Sequence, residues 1–119
     1  MNQINEQINT EEIKKQSRSF DPKEVLQILS ANKPVFWSWG AHAFTIDNPK
    51  DTRMFRMKVN GHYHKGHVYI FLNGADLFDV YLTNKDGKIV QKTPEMGLFF
   101  DQLVDWIDEK IEKISAYNR

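Results

Sequence analysis

Apolar and polar residues alternate along the middle of the chain, from about residue 52 to residue 92. Successive side chains of a β-strand point to opposite faces of a sheet, so a period of two predicts half-buried strands. Short turn sequences such as Asn73-Gly74 and Asp86-Gly87 interrupt the alternation, and short connections favour antiparallel pairing. This part of the chain therefore predicts an antiparallel meander with strands at 52–64, 67–73, 78–82 and 88–92.

Two different turns could close the first hairpin of this meander. Asn60-Gly61 is the stronger two-residue hairpin signal, but it would place histidines on the apolar face of the sheet. A turn at Lys65-Gly66 instead pairs Val59 with Leu72 and keeps that face apolar, which matters because a buried face specifies the register strongly. We therefore predict the turn at 65–66, with Tyr63 on the buried face.

Helix signals flank the strands. Asp21 followed by Pro22 is typical of a helix start. The carboxylate can accept hydrogen bonds from the free backbone N–H groups of the first turn, and proline suits the first helical position. We therefore predict a helix over about 22–31. Thr93-Pro94 predicts the start of a second helix that runs to about 115, with apolar residues at steps of three and four. Residues 35–46 are rich in aromatic residues without helical spacing and predict a further strand, bent at Gly40.

These elements together predict an α+β fold. We expect a five-stranded antiparallel meander with an N-terminal helix and a long C-terminal helix packed on one face, which makes a two-layer sandwich. The chain has 119 residues, of which 40% are hydrophobic, a size typical of a single domain. We assign that domain to residues 20–119, preceded by a polar arm at 1–19 that forms a marginal helix or is disordered.

Composition excludes several classes of site. The chain has no cysteine, which excludes disulfides, thiolate nucleophiles and Cys-based metal sites. No apolar run reaches the roughly 20 residues that a membrane-spanning helix needs, and the N-terminal sequence lacks the pattern of a signal peptide. We therefore expect a cytoplasmic protein without a membrane association. The sequence also lacks a Gly-x-Ser-x-Gly turn and a phosphate-binding glycine loop, so we expect no catalytic residues and no cofactor.

The histidines are the side chains of this sequence that are best suited to bind a metal ion. The predicted register places His62 and His64 on one strand face with His67 directly across, and three imidazoles could hold zinc or a similar metal. The same positions fit a solvated polar face without a ligand, and we favour that interpretation. A His-based metal-dependent enzyme is the third functional hypothesis.

Charge is balanced over the whole chain but not along it. Formal net charge is zero, whereas residues 50–67 carry five basic residues against one acid. A basic strand pair that also bears aromatic rings could bind nucleic acid through phosphate contacts and base stacking. The residues of this possible contact are Arg53, Arg56, Lys58 and Lys65.

Aromatic side chains on the outer face of the predicted sheet are the leading candidate for function. If the helices cover one face, strand alternation directs five rings to the other, namely Trp37, Trp39, Tyr69, Phe71 and Tyr81. A large exposed apolar patch usually marks an interaction surface, although the N-terminal arm or a bend at Gly40 could also cover these rings. The sequence therefore predicts a binding or adaptor module without catalytic activity, whose partner is another protein or a second copy of the chain, with nucleic-acid binding as the alternative.

Overall fold

The computed structural model describes residues 6–111 of the chain. It confirms a mixed α+β fold with an antiparallel sheet and a C-terminal helix, but the sheet has six strands rather than five. The strand order across the sheet is β1-β6-β5-β4-β3-β2, and every neighbouring pair is antiparallel. The strands are β1 (Glu6–Gln7), β2 (His42–Ile46), β3 (Phe55–Asn60), β4 (Lys65–Leu72), β5 (Phe78–Thr83) and β6 (Lys88–Lys92), and the helices are α1 (Thr10–Lys15), α2 (Pro22–Ser30), α3 (Lys33–Ser38) and α4 (Phe100–Ile111).

The main core lies between one face of the sheet and helices α2 and α4. We call this face the inner face. The helices contribute Val25, Leu29, Leu103, Ile107 and Ile111, which pack against alternate strand residues; those are Phe55, Met57, Val59, Val68, Ile70, Val80 and Leu82. The predicted start of α2 is confirmed, since Asp21 accepts a hydrogen bond from the Lys23 N–H at 2.9 Å and Pro22 is the first helical residue.

The strand predicted at 35–46 is wrong over its first half. Residues Lys33–Ser38 form helix α3, and only His42–Ile46 is a strand. The Asn32 side chain accepts from the Val35 N–H and Pro34 lies in the first turn, so this start repeats the chemistry of α2. Gly40, at a φ of +63°, then turns the chain into β2.

The predicted hairpin turn is also wrong, because neither candidate dipeptide closes the hairpin. Strands β3 and β4 pair Val59 with Gly66 and Met57 with Val68, joined by a four-residue loop at 61–64. The true register differs from the predicted one by an even number of residues, so the inner face keeps its residues. The loop does change: Tyr63 is 57% exposed, and its backbone N–H donates to the Ile111 carbonyl at the end of α4.

The C-terminal helix begins six residues later than Thr93-Pro94 predicts. The Thr93 hydroxyl is buried and accepts the Val80 backbone N–H at 3.1 Å, so it completes strand pairing instead of capping a helix. Leu98 then forms a backbone bridge with Phe78 before α4 begins at Phe100. The predicted continuation to residue 115 lies outside the described residues beyond Ile111.

The N-terminal segment joins the sheet at two places. Strand β1 pairs with β6, which matches Glu6 with Ile89, and the Arg18 N–H donates to the Leu72 carbonyl at the end of β4. Between these two anchors, α1 crosses the outer face of the sheet, where Ile13 and residues of β5 line one cavity. Residues 1–5 of the predicted arm lie outside the described residues.

Candidate binding surfaces

Most of the predicted aromatic surface is covered. Tyr69 and Phe71 do point to the outer face, but they are only 6% and 0% exposed, and Tyr81 is half-buried against Phe71, with ring centroids 5.7 Å apart. The N-terminal segment crosses this face, and its Ile13 lines a cavity together with Tyr81. Trp37, by contrast, is free, so the structure does not bring the five predicted residues together.

Trp39 occupies the core rather than the outer face, which corrects its predicted position. Its side chain is fully buried, and its indole N–H donates to the Asp108 carboxylate on α4 at 2.9 Å. The helix α3 explains this placement, because residues three apart lie on one side of a helix. Phe36 and Trp39 thus face inward in edge-to-face contact at 5.7 Å, and Trp37 faces solvent.

Two aromatic side chains near the β2 end of the sheet do reach solvent. Trp37 is 71% and Phe44 41% exposed, and half-buried Phe36 stacks on Phe44 with ring centroids 6.1 Å apart. Phe44 also contacts the core ring of Phe55 at 6.0 Å. We call Phe36, Trp37 and Phe44 the edge surface, because β2 is the outermost strand.

Strand β2 is irregular along its open edge. Its register against β3 shifts between His42 and Thr45, and Ala43 has a positive φ of 53°. Such bulges interrupt the hydrogen-bonding row that an added strand would need. The edge surface is therefore suited to side-chain packing rather than to strand addition.

The four residues predicted to contact nucleic acid separate into two groups. Arg53 is engaged within the protein, since its guanidinium donates to the Asp51 carboxylate at 3.2 Å and to the Ser17 carbonyl at 3.1 Å. Arg56 donates to the Thr45 hydroxyl across the β2–β3 pair. Lys58 and Lys65, the other two, line a single cavity of about 240 Å³.

This cavity, which we call the lysine pocket, brings together lysine and histidine side chains from three strands and a loop. The strand register sets His42 beside Lys58 and Lys58 beside His67. Lys85, which our sequence analysis missed, enters from the turn after β5. The complete lining is His42, Lys58, Val59, Lys65, Gly66, His67 and Lys85. None of these is acidic, and within residues 6–111 no ion pair forms to any of the three lysines.

His67 in this pocket and His64 near it both have lowered pKa values, and burial is the largest cause for each. The pKa of His67 is lowered by burial and further by Arg56, Lys58 and His64. Burial also lowers the pKa of His64, against a smaller opposing effect of backbone hydrogen bonds to His67 and Thr83. Both imidazoles are therefore biased toward the neutral form near pH 7.

Three buried polar atoms without a hydrogen-bond partner lie at this same end of the sheet. They are His64 Nε2, His67 Nδ1 and Thr83 Oγ1, and His67 is paired directly with Thr83 across β4 and β5. Unpaired buried polar atoms are uncommon in folded proteins. This end of the sheet therefore has a concentration of buried polar atoms without hydrogen-bond partners.

The three histidines proposed as possible metal ligands do not converge. His67 faces Lys58 and Thr83 rather than His64, and His62 packs edge-to-face on Tyr63 in the loop, with ring centroids 4.7 Å apart. Within residues 6–111, no group of three His, Asp or Glu side chains is placed to hold a metal ion.

A second cavity, of about 610 Å³, lies between α1 and the outer face, with Asp79 and Tyr81 in its lining. Burial raises the pKa of Asp79 despite a hydrogen bond from the Asn73 amide. Burial and the nearby Asp79 raise the pKa of Tyr81. The lining includes no histidine.

Comparison with known proteins does not assign this chain to a family: no family model, no curated protein and no solved structure matches it. In the part of the chain that the structure describes, no helix is both long and apolar enough to cross a membrane. The edge surface and the lysine pocket are therefore the features of the molecule that bear on its function.

Proposed function

We propose that the protein is a non-catalytic binding module that associates with a second copy of itself through the edge surface. The observation that carries this proposal is the exposure of Trp37, 71% of whose surface is open to solvent, together with the 41% exposure of Phe44. Burying a large apolar side chain contributes roughly 1.5–3 kcal/mol, and tryptophan is enriched among residues that dominate interfaces. A cytoplasmic location stays a prediction from the sequence.

The chemistry of this surface supports self-association. Its three rings carry no charge, so the patch is complementary to itself across a two-fold axis, as homodimer interfaces require. Phe36 and Phe44 are already stacked at 6.1 Å and can extend the same offset stacking to a partner's rings. The bulge in β2 favours this ring packing over a continuous intermolecular sheet.

Replacing Trp37 by Glu tests the proposal. We expect the wild-type protein to be dimeric in light scattering and Trp37→Glu to be monomeric, because an unpaired carboxylate is costly to desolvate at an interface. Circular dichroism should show both proteins folded, since the Trp37 side chain is largely in solvent.

Phe100→Glu is the matched control. Phe100 is 65% exposed at the start of α4 and lies outside the edge surface, so this variant should stay dimeric. A wild-type protein that is monomeric at high concentration, or a Phe100→Glu variant that dissociates as readily as Trp37→Glu, would overturn self-association through this surface.

Nucleic-acid binding is a second candidate, favoured by the absence of any acidic residue in the lysine pocket. Lys58, Lys65 and Lys85 could contact backbone phosphates, and such binding should weaken steeply as salt is added. The sequence-predicted contribution of Arg53 is reduced, because Asp51 already pairs with it. This candidate would be tested by the oligonucleotide titration described below.

A further inference from the structure

We propose that the lysine pocket is a binding site for the phosphate group of a small phosphorylated ligand. This inference does not depend on the edge surface; it names the chemical group that the nucleic-acid candidate would also need. Three lysines and two histidines line one concavity, and they are supplied by strands β2, β3 and β4 and by the turn after β5. They come from positions between 42 and 85 of the chain, so the fold brings them together.

The pocket concentrates positive charge that the protein itself leaves uncompensated. Lys58, Lys65 and Lys85 have no carboxylate partner within residues 6–111, although the chain has as many acidic as basic residues. Like charges held together without a counter-ion repel one another, and an anion between them removes that repulsion. The structure thus favours an anionic occupant over an empty pocket.

His67 strengthens the preference for a doubly charged anion. In the free protein, Arg56 and Lys58 help to lower its pKa, which keeps the ring neutral near pH 7. A dianion in the pocket would offset those positive neighbours and favour the protonated ring. Binding would therefore add an imidazolium to the site, and a phosphate monoester, with nearly two negative charges at pH 7, gains more from this than a singly charged diester.

Size and surroundings favour a compact ligand over an extended polyanion. The pocket volume of about 240 Å³ is below the roughly 300–1,000 Å³ of sites that enclose drug-sized ligands, so it fits one charged group. Elsewhere the outer side of the fold carries acids, including Glu12 and Asp79 in the second cavity and Asp47 beside Lys14. These acids would repel a nucleic-acid strand that continued across the face.

Titration with inorganic phosphate, AMP and a short oligothymidylate tests the proposal, with binding followed by amide chemical shifts. Phosphate and AMP should perturb the amides of Gly66, His67 and Lys85, and added salt should weaken the effect. Lys58→Gln should weaken AMP binding at least fivefold, the effect of one unit charge at about 4 Å in water. Lys85→Gln should do the same.

Lys23→Gln is the matched control, because Lys23 is exposed on α2 at the other side of the sheet. It should leave the AMP affinity unchanged. Equal losses in Lys23→Gln and Lys58→Gln, or no perturbation near Gly66 by phosphate or AMP, would overturn the site. Oligothymidylate binding that exceeds AMP binding and is lost in Lys58→Gln would overturn the small-ligand assignment and support the nucleic-acid candidate. Light scattering of Lys58→Gln keeps this test separate from the dimer, which that variant should retain.

Discussion

Two tryptophans two positions apart in the chain have opposite environments. Trp37 is mostly in solvent, whereas Trp39 is fully buried and donates its indole N–H to Asp108. A strand would have placed both rings on the same face, and a helical turn separates them. The conformation of six residues, Lys33–Ser38, therefore decides which tryptophan belongs to the core and which is free to bind.

The hydrogen bond from Trp39 predicts a stability difference between otherwise matched variants. Trp39→Phe keeps an aromatic ring but leaves the buried Asp108 carboxylate without its hydrogen-bond donor. We therefore expect the free energy of unfolding to fall by about 1–3 kcal/mol. Trp37→Phe should cost less than about 0.5 kcal/mol, as other surface changes do. Urea denaturation of both variants measures this difference, and similar losses would contradict the helical placement of α3.

Elements with complete local signals are the ones that the sequence predicts well. Helix α2 has its cap and proline next to the apolar spacing, and β5 and β6 alternate between clear turns; all three are confirmed. The register of the β3–β4 hairpin depends on contacts that are distant in sequence, because its 61–64 loop packs against Ile111 at the end of α4. Thr93 is likewise followed by a sequence typical of a helix cap, but its hydroxyl accepts a hydrogen bond from the Val80 backbone N–H on β5.

The candidate sites follow the same division. Alternation correctly places Tyr69 and Phe71 on the outer face. The segment that crosses this face, α1, precedes these two rings by more than fifty residues, and alternation within the strands does not show where it lies. Lys85 was missed because its approach to the pocket depends on how the turn after β5 lies against the β3–β4 hairpin.

At Gly66 in β4, we expect a single added methyl group to lower the stability of the fold. A Cβ atom at this position would lie 2.2 Å from the Thr83 carbonyl oxygen on β5, whereas one at Gly74 would meet nothing within 4 Å. Gly66→Ala should therefore destabilise the protein by about 1–3 kcal/mol, as overpacking does, and Gly74→Ala should stay within about 0.5 kcal/mol of wild type. Thermal unfolding compares them; an unaffected Gly66→Ala variant would contradict the close β4–β5 approach.

At the scale of the whole molecule, both faces of the sheet carry other parts of the chain. Helices α2 and α4 cover the inner face, and the N-terminal segment crosses the outer one. The architecture thus departs from a two-layer sandwich with one open face, and this departure moves the free aromatic surface from the centre of the sheet to its β2 edge. Binding at that edge leaves the lysine pocket on the outer side of the same sheet available.

Removing the apolar contact of α1 should expose the outer face. Ile13 lines the cavity against β5, so Ile13→Asn should lose up to about 1.5–3 kcal/mol of unfolding free energy and increase the binding of a hydrophobic dye. Lys15→Asn, at a position exposed on the same helix, provides the comparison and should change neither quantity measurably. Dye binding that is the same in both variants would show that α1 does not protect Tyr69 and Phe71.

The pairing of β1 with β6 has a consequence for biosynthesis. Glu6 pairs with Ile89, so β1 has no partner strand until the 83 residues from 7 to 89 have been synthesised, which takes roughly 4–17 s at 5–20 residues per second. During that interval α1 lacks one of its two anchors, and the rings of β4 emerge from the ribosome before their cover is fixed. Such non-local closure slows folding, and the nascent chain is therefore most vulnerable to aggregation just before its sixth strand appears.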